Sequence, residues 1–215
     1  MPQAYSLVIF DLDGTLLDSF PWFVRNVNGV ADRFGFRKIA EHEIDGLRHR
    51  PAREILGHLG IPLWKLPRIA RHMQRMMAED AVSAPLFDGA AEVLRALASA
   101  GHRLALVTSN SEANARAKLG DSATLFAHFA CATSIFGKAA KFRRVLKQAR
   151  VAASETLAIG DETRDIEAAR AAGIGCGAVT WGYAAPQALR ALNPDLIFDR
   201  MDDIAGALVS DRQAD

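Results

Sequence analysis

The sequence predicts an α/β fold with a parallel sheet and a separate all-helical insertion near the N-terminus. Six short apolar runs recur along the 215 residues, and most are followed by a turn and a helical pattern. Runs this short and this uniformly apolar are typical of strands buried on both faces of a parallel sheet. The long stretch between the first two runs shows only helical patterns, which predicts the insertion.

The predicted strands are separated by helical patterns. In chain order they are residues 7–10, 104–107, 129–132, 157–159, 177–180 and 196–198, of which 129–132 carries the weakest pattern. Two of the helical patterns end in glycine, "GAAEVLRALASAG" at Gly101 and "DETRDIEAARAAG" at Gly173. Glycine is frequent just after helix C-termini, so these residues predict where the two helices end.

Residues 18–84 form the helical insertion. They contain the patterns "FVRNVNGVADRFGF", "PAREILGHLG" and "LPRIARHMQRMMAED", which are separated by Pro51, Pro62 and Pro67. We therefore predict an α/β core made of residues 1–17 and 85–215, with the helical insertion as a second, smaller domain.

Composition narrows the class of protein. The formal net charge is only +1, so a nucleic-acid partner is not expected. The two cysteines, Cys131 and Cys176, lie far apart and predict no disulfide framework, as is usual in the cytoplasm. The sequence starts without a signal-peptide pattern, and no apolar run approaches the ~18 residues of a membrane helix. We expect a soluble cytoplasmic protein without a membrane partner, either monomeric or homodimeric.

Polar side chains follow three of the predicted strands. They are Asp11 and Asp13 after the first strand, Thr108, Ser109 and Asn110 after the second, and Asp161 with Asp165 after the fourth. Ligands of open α/β sheets bind in the crevice at the carboxyl ends of the strands. Each group alone also fits an ordinary turn or helix N-cap, but their order and their common placement after strands favour a functional site.

Clustered carboxylates indicate metal-assisted phosphoryl chemistry. Close like charges raise one another's pKa, and a hard cation that prefers oxygen ligands, such as Mg²⁺, relieves this. An aspartate such as Asp11 can then attack phosphorus to form an aspartyl-phosphate. Asp13, two residues further on, can protonate the leaving oxygen and later deprotonate water. Gly14 lets the chain turn and is expected to present backbone N–H groups to phosphate.

The four segments resemble a known set of motifs. "DLDGTLLDS", "LALVTSN", a downstream lysine and "AIGDETRD" resemble, in this order, the motifs of the haloacid dehalogenase superfamily. The helical insertion after the first motif resembles the phosphoglycolate-phosphatase-like branch. The resemblance implies a Rossmann-like core, with the insertion as a cap that closes over the substrate.

The resemblance also implies roles for the strand-end residues. Asp11 would be nucleophile and metal ligand, and Asp13 general acid and base with its backbone carbonyl on Mg²⁺. Asp161 would complete the metal site, which Asp165 would support directly or through water or the lysine. Thr108 would bind phosphate, and Gly14, Ser109 and Asn110 are counted with it as substrate-binding residues.

The catalytic lysine has two candidates. Similar proteins usually carry a lysine followed by proline, whereas this chain reads "FGKAAKFRRVLKQ". Lys138 lies 23 residues before Asp161, which fits the usual spacing better than Lys141 does. We therefore interpret Lys138 as the catalytic lysine and place Lys141 on the first turn of the following helix.

The predicted activity is that of a Mg²⁺-dependent phosphatase. Its substrate would be a small phosphorylated metabolite, either phosphoglycolate-like or a sugar phosphate. A phosphosugar mutase of the β-phosphoglucomutase kind uses the same aspartate pair and stays open, as does a non-catalytic relative that binds a phosphorylated ligand. In the insertion, Arg48, Arg50 and Arg53 either contact a second anionic group of the substrate or form a solvated helix end.

Overall fold

In the computed structural model, the described residues are 5–80, 84–132 and 137–210. They form one six-stranded sheet, ordered β3-β2-β1-β4-β5-β6, in which every neighbouring pair of strands is parallel. The strands are β1 (Leu7–Phe10), β2 (Arg103–Val107), β3 (Phe126–Ala130), β4 (Thr156–Gly160), β5 (Gly175–Val179) and β6 (Leu196–Phe198). The predicted α/β class with a parallel sheet is confirmed.

Two strands, β3 and β5, start at least two residues earlier than predicted, while β2 and β4 start one residue earlier. β3 begins at Phe126 rather than at residue 129, because it is an edge strand whose His128 and Phe129 are only partly buried. Partial burial permits a mixed pattern that a search for uniformly apolar runs misses. β5 begins at Gly175, which pairs with Leu157 of β4. Because glycine has no apolar side chain, the sequence pattern does not predict a strand at this residue.

Ten α-helices occur in the described residues. Four follow β1 and precede β2, namely α1 (Phe20–Phe34), α2 (Ile44–Arg48), α3 (Ala52–His58) and α4 (Leu66–Glu79). The others are α5 (Ala90–Ser99), α6 (Glu112–Leu119), α7 (Lys138–Ala149), α8 (Thr163–Ala172), α9 (Pro186–Ala191) and α10 (Met201–Ser210). None of the helices in the part of the chain that the structure describes is both long and apolar enough to cross a membrane.

Helices cover both faces of the sheet, which explains why β1 is apolar throughout. Leu7 and Ile9 point into a core cluster shared with α7 and α8, while Val8 and Phe10 point into a second cluster shared with α5 and α10. Successive side chains of a strand face opposite sides, so a strand in the middle of a covered sheet buries every residue. All four side chains of β1 are at most 1% exposed.

The helical insertion, residues 18–84, has an apolar cluster of its own. Val27, Ile39, Leu47 and Leu59 are buried together, apart from the two clusters that flank the sheet. The chain enters and leaves this region side by side, because the Asp18 N–H donates to the Pro85 carbonyl over 2.9 Å. Both observations agree with the predicted boundaries, although the two-domain division stays a prediction and residues 81–83 lie outside the described part.

The sheet order reverses at β1. The chain proceeds from β1 to the neighbour on one side, β2, and β4 then pairs with the other side of β1. A crevice forms where the connections diverge in this way, at the carboxyl ends of the strands. The residues that follow β1, β2 and β4 therefore share one edge of the sheet.

Candidate active site

The structure brings the predicted acidic residues together at this edge. Carboxylate oxygens of Asp11, Asp161 and Asp165 all lie within 4.8 Å of one another, and all three residues are buried. The backbone fixes the position of Asp11 as well, since its N–H donates to the Ile159 carbonyl of β4 over 2.9 Å. Three buried carboxylates in this space form a site of oxygen ligands only.

Burial and neighbouring carboxylates disfavour the charged forms of Asp11 and Asp161. Burial raises the pKa of Asp11 to about 6, an effect that the Lys138 ammonium group opposes and the Asp165 carboxylate increases. Burial and the neighbouring carboxylates of Glu162 and Asp11 raise the pKa of Asp161 well above its usual value. A hard divalent cation would favour the charged form of both groups, so this donor set fits Mg²⁺.

Lys138 lies between two of the carboxylates. Its Nζ is 2.6 Å from Asp11 Oδ2 and 2.5 Å from Asp165 Oδ1, and the lysine is only 5% exposed. Burial acts to raise the pKa of Asp165, but Lys138 and Arg164 outweigh it, so the pKa lies below the ordinary value. The Nζ of Lys141 instead lies 3.5 Å from the Cys131 carbonyl, so the geometry places Lys138 and not Lys141 beside Asp11.

One carboxylate oxygen of Asp13 is available to form a hydrogen bond. Its Oδ1 is buried and has no hydrogen-bond partner among the described residues. Burial raises the pKa of Asp13, an effect that the Ser19 and Asn110 side chains partly offset. A buried oxygen without a partner is costly, and a substrate oxygen or a water that shares a proton with it would relieve that cost.

Asp161 is held on both oxygens. The Thr15 hydroxyl donates to Oδ1 and the Tyr183 N–H donates to Oδ2, each over 2.8 Å. Each carboxylate oxygen has a second lone pair, so these bonds orient Asp161 and leave capacity for a metal ion. Thr15 belongs to the quoted motif "DLDGT" but was not recognised as a site residue, and Tyr183, which follows β5, had no sequence signal.

Two glycines make room for Asp161. Gly14 has a φ of 76°, and a Cβ there would lie 2.2 Å from Asp161 Oδ2, while a Cβ on Gly182 would lie 2.3 Å from Asp161 Cβ. The Gly14 N–H itself donates to the Leu17 carbonyl over 2.9 Å. Gly14 thus permits a close approach to Asp161, and its expected part in phosphate binding stays a prediction.

The loop after β2 contacts the insertion. Thr108 is buried, and its Oγ1 accepts a hydrogen bond of 3.0 Å from the Asn110 N–H. The Ser109 carbonyl accepts one of 2.6 Å from Gln74 of α4, and Asn110 Nδ2 lies 3.8 Å from Met77 Sδ. These contacts tie the loop to α4, and binding of phosphate by its residues stays a prediction.

The arginines of the insertion differ in what they contact. Arg48 donates from Nε to the Tyr183 carbonyl (3.0 Å) and from a terminal nitrogen to the Gly182 carbonyl (2.9 Å). Its guanidinium also lies 4.9 Å from the centre of the Phe20 ring. Arg48 therefore links the insertion to the loop that holds Asp161. Arg50 and, from α8, Arg164 line the cavity, and Arg164 is paired with Glu162.

A cavity of about 600 Å³ lies between this edge of the sheet and the insertion. Asp11, Asp13 and Lys138 line one end of it. Side chains from α1 to α4 line the other end, and most of these are apolar. A cavity of this volume is in the range that accommodates small-molecule ligands.

The model of the family "Haloacid dehalogenase-like hydrolase" matches residues 8–179, a range that contains Asp11, Lys138 and Asp161. The chain belongs to this family. The match covers the whole of the acidic cluster together with the helical insertion.

Relatives with curated names are similar along most of the chain. The phosphoglycolate phosphatase of Synechococcus elongatus is 34% identical over 203 residues, which cover 94% of this chain and 96% of that protein. The phosphoglycolate phosphatase of Xanthomonas campestris pv. campestris is 32% identical over 187 residues, covering 82% and 83%. A solved haloacid dehalogenase-like hydrolase from Streptococcus pneumoniae has the same fold, with a TM-score of 0.76, 21% identity and coverage of 94% and 97%.

Proposed function

We propose that this protein is a Mg²⁺-dependent phosphatase that hydrolyses the phosphate monoester of a small metabolite through an aspartyl-phosphate on Asp11. The observation that carries the proposal is the placement of Asp11, which lies within 2.6 Å of the buried Lys138 ammonium group and in one cavity with Asp13. The named phosphatases among the relatives support the same reaction class.

In the first step, an Asp11 carboxylate oxygen attacks phosphorus and the bond to the ester oxygen breaks. Asp13 donates its proton to the leaving oxygen, so an alcohol departs rather than an alkoxide. The raised pKa of Asp13 suits this role, because a buried carboxyl retains its proton more readily than an exposed one. Lys138 stabilises the negative charge on the phosphoryl oxygens while the phosphoryl group is transferred to Asp11.

In the second step, water attacks the phosphorus of the aspartyl-phosphate. Asp13, now ionised, accepts the proton of the water, and the bond between Asp11 and phosphorus breaks to release inorganic phosphate. The proton that Asp13 gave in the first step is thereby returned. Both carboxylates regain their starting states, so the cycle consumes one water and one ester.

The acidic cluster is the metal site of this proposal. Asp11, Asp161 and the backbone carbonyl of Asp13 would hold Mg²⁺, with Asp165 in support. When bound, the ion supplies positive charge that stabilises phosphate oxygens in the transition state. Among the protein groups, the hydrogen bonds from Thr15 and Tyr183 orient Asp161 for this role.

Phosphate release from a panel of esters tests the proposal. The panel includes phosphoglycolate, sugar phosphates and 4-nitrophenyl phosphate, each assayed with Mg²⁺ and with excess EDTA. We expect release that requires the metal and disappears in EDTA. Undiminished turnover in EDTA would contradict the metal assignment, and a rearranged sugar phosphate without free phosphate would instead identify a mutase.

A further inference from the structure

The residues that line the cavity differ in polarity between its two ends. At the sheet edge the lining consists of carboxylates, the Lys138 ammonium group and the polar loop after β2. On the insertion side, α4 alone contributes Ile69, Met73 and Met77, which recur every four residues and so lie on one helix face. Phenylalanine, leucine and isoleucine side chains from α1, α2 and α3 continue this apolar lining.

The polar groups on the insertion side are already bonded to the protein or lie at the rim. Asn28 donates to the Ile39 carbonyl and accepts from the Ile39 N–H, at 2.9 and 2.8 Å. The Gln74 amide donates to the Ser109 carbonyl over 2.6 Å. Arg48 is bonded to two carbonyls, whereas Glu41 and Arg50 are exposed residues. Few groups there can bind a sugar hydroxyl or a carboxylate.

We propose that the leaving group of the substrate is a sizeable apolar group, such as an alkyl or arylalkyl alcohol, rather than glycolate or a sugar. The inference rests on the proposed phosphatase function, because the phosphate has to lie at Asp11 for the leaving group to reach the insertion. The apolar contacts lie away from the reacting atoms, and their binding energy then lowers the activation free energy of the reaction. Methionine at two of the α4 positions suits this role, since its side chain adapts to irregular apolar shapes.

Phosphoglycolate would gain little from this lining. Its second anionic group needs a cation. Of the cationic residues that line the cavity, Lys138 is paired with two aspartates, Arg164 is paired with Glu162, Arg48 is bonded to two carbonyls, and Arg50 is exposed to water. Desolvating a carboxylate against isoleucine and methionine is costly without a paired charge. An apolar leaving group gains from the same surroundings, because its burial removes apolar surface from water.

A series of n-alkyl phosphates tests the inference. Ethyl, butyl, hexyl and octyl phosphate share one ester chemistry, so differences in kcat/KM report contacts with the alkyl chain. We expect kcat/KM to rise about two- to fourfold per methylene until the cavity is filled, the upper value corresponding to about 0.8 kcal/mol for each buried methylene. Phosphoglycolate should be hydrolysed more slowly than hexyl phosphate.

A cavity-filling variant locates the effect. Ala70 lines the cavity, whereas Ala78 on the same helix is exposed. We expect Ala70→Leu to lower the hexyl-to-ethyl ratio of kcat/KM by roughly tenfold, since the added side chain occupies space that the alkyl group needs. Ala78→Leu adds the same atoms to the exposed side of α4 and should keep the wild-type ratio.

The outcomes separate the inference from the function on which it rests. A flat or falling alkyl series on an enzyme that hydrolyses phosphoglycolate would overturn the apolar leaving group and leave the phosphatase function standing. An equal change of the ratio in Ala70→Leu and Ala78→Leu would overturn the location. Failure to hydrolyse any ester, 4-nitrophenyl phosphate included, would overturn the phosphatase function and the inference with it.

Discussion

The sheet edge and the helical insertion line the same cavity, yet their side chains are held in opposite ways. At the edge, Asp11, Lys138 and Asp165 fix one another through contacts of 2.5 to 2.6 Å. On the insertion side, α4 lines the cavity with apolar side chains, of which those of Met73 and Met77 adapt readily in shape. Fixed charges suit a reaction in which oxygens must be placed accurately, and adaptable apolar surface suits the choice of a leaving group. Reaction type and substrate choice are therefore expected to respond to different mutations.

The largest effect should come from Asp11→Asn. A carboxamide is a poor nucleophile, so turnover should fall on the order of 10⁴-fold or more for every substrate. Phosphate release measured across the alkyl series checks this, with circular dichroism to verify folding. If the variant lost activity only on long-chain esters, the assignment of the reaction to the sheet edge and of substrate choice to the insertion would be wrong.

Lys138→Ala should come next in size. The ammonium group beside Asp11 stabilises charge that develops on phosphate, so its removal should cost on the order of 10²-fold or more in kcat. Lys141→Ala is the matched control on the same helix, and it should cost little because Lys141 lies beside the Cys131 carbonyl. A larger loss in Lys141→Ala than in Lys138→Ala would contradict the assignment of the lysine.

Asp13→Asn should distinguish substrates by their leaving group. An alkyl alcohol needs a proton when it departs, so hydrolysis of ethyl phosphate should fall at least about 10²-fold. Formation of the aspartyl-phosphate from 4-nitrophenyl phosphate should be less affected, since nitrophenolate leaves without a proton. Burst kinetics with the two esters measure both steps. Equal burst rates for wild type and variant with ethyl phosphate would rule out Asp13 as the acid.

Smaller effects on the free energy of unfolding should distinguish a glycine with no space for a Cβ atom from one that has space. A Cβ at Gly182 would lie 2.3 Å from Asp161 Cβ, so Gly182→Ala should lower the free energy of unfolding by about 1–3 kcal/mol. Gly206, inside α10, has nothing within 4 Å of such a Cβ, and Gly206→Ala should raise it by up to about 1 kcal/mol. Urea denaturation compares the two. A neutral Gly182→Ala would show that Asp161 is not tightly enclosed.

The placement of the acidic residues could be predicted because parallel strands share an edge. Once β1, β2 and β4 were identified by their apolar runs, the residues that follow them had to lie near one another. Local pattern and topology together determine the positions of these acidic residues. Lys138 was predicted from the spacing usual in the family that the motifs resemble, and the structure places it against Asp11.

Other features depend on packing that a sequence pattern does not encode. The hydrogen bond from the Tyr183 N–H to Asp161 comes from a loop after β5. Nothing in the sequence "WGYA" distinguishes Tyr183 from an aromatic residue of the core. Arg48 carried a positive charge that fitted a substrate contact, yet its guanidinium is bonded to backbone carbonyls. The apolar end of the cavity arises from how four helices face one another, and periodicity identifies an apolar face but not whether the space beside it is filled.

The central claim is that Asp11 carries the phosphoryl group, and trapping that group tests it most directly. Asp13→Asn should accumulate the phosphoenzyme from 4-nitrophenyl phosphate with Mg²⁺, because the first step needs no proton there and the second step lacks its base. After an acid quench and proteolysis, mass spectrometry locates the added phosphoryl group. We predict that it lies on Asp11 and is absent from the Asp11→Asn, Asp13→Asn double variant. A phosphoryl group on another residue, or none during turnover, would contradict the account.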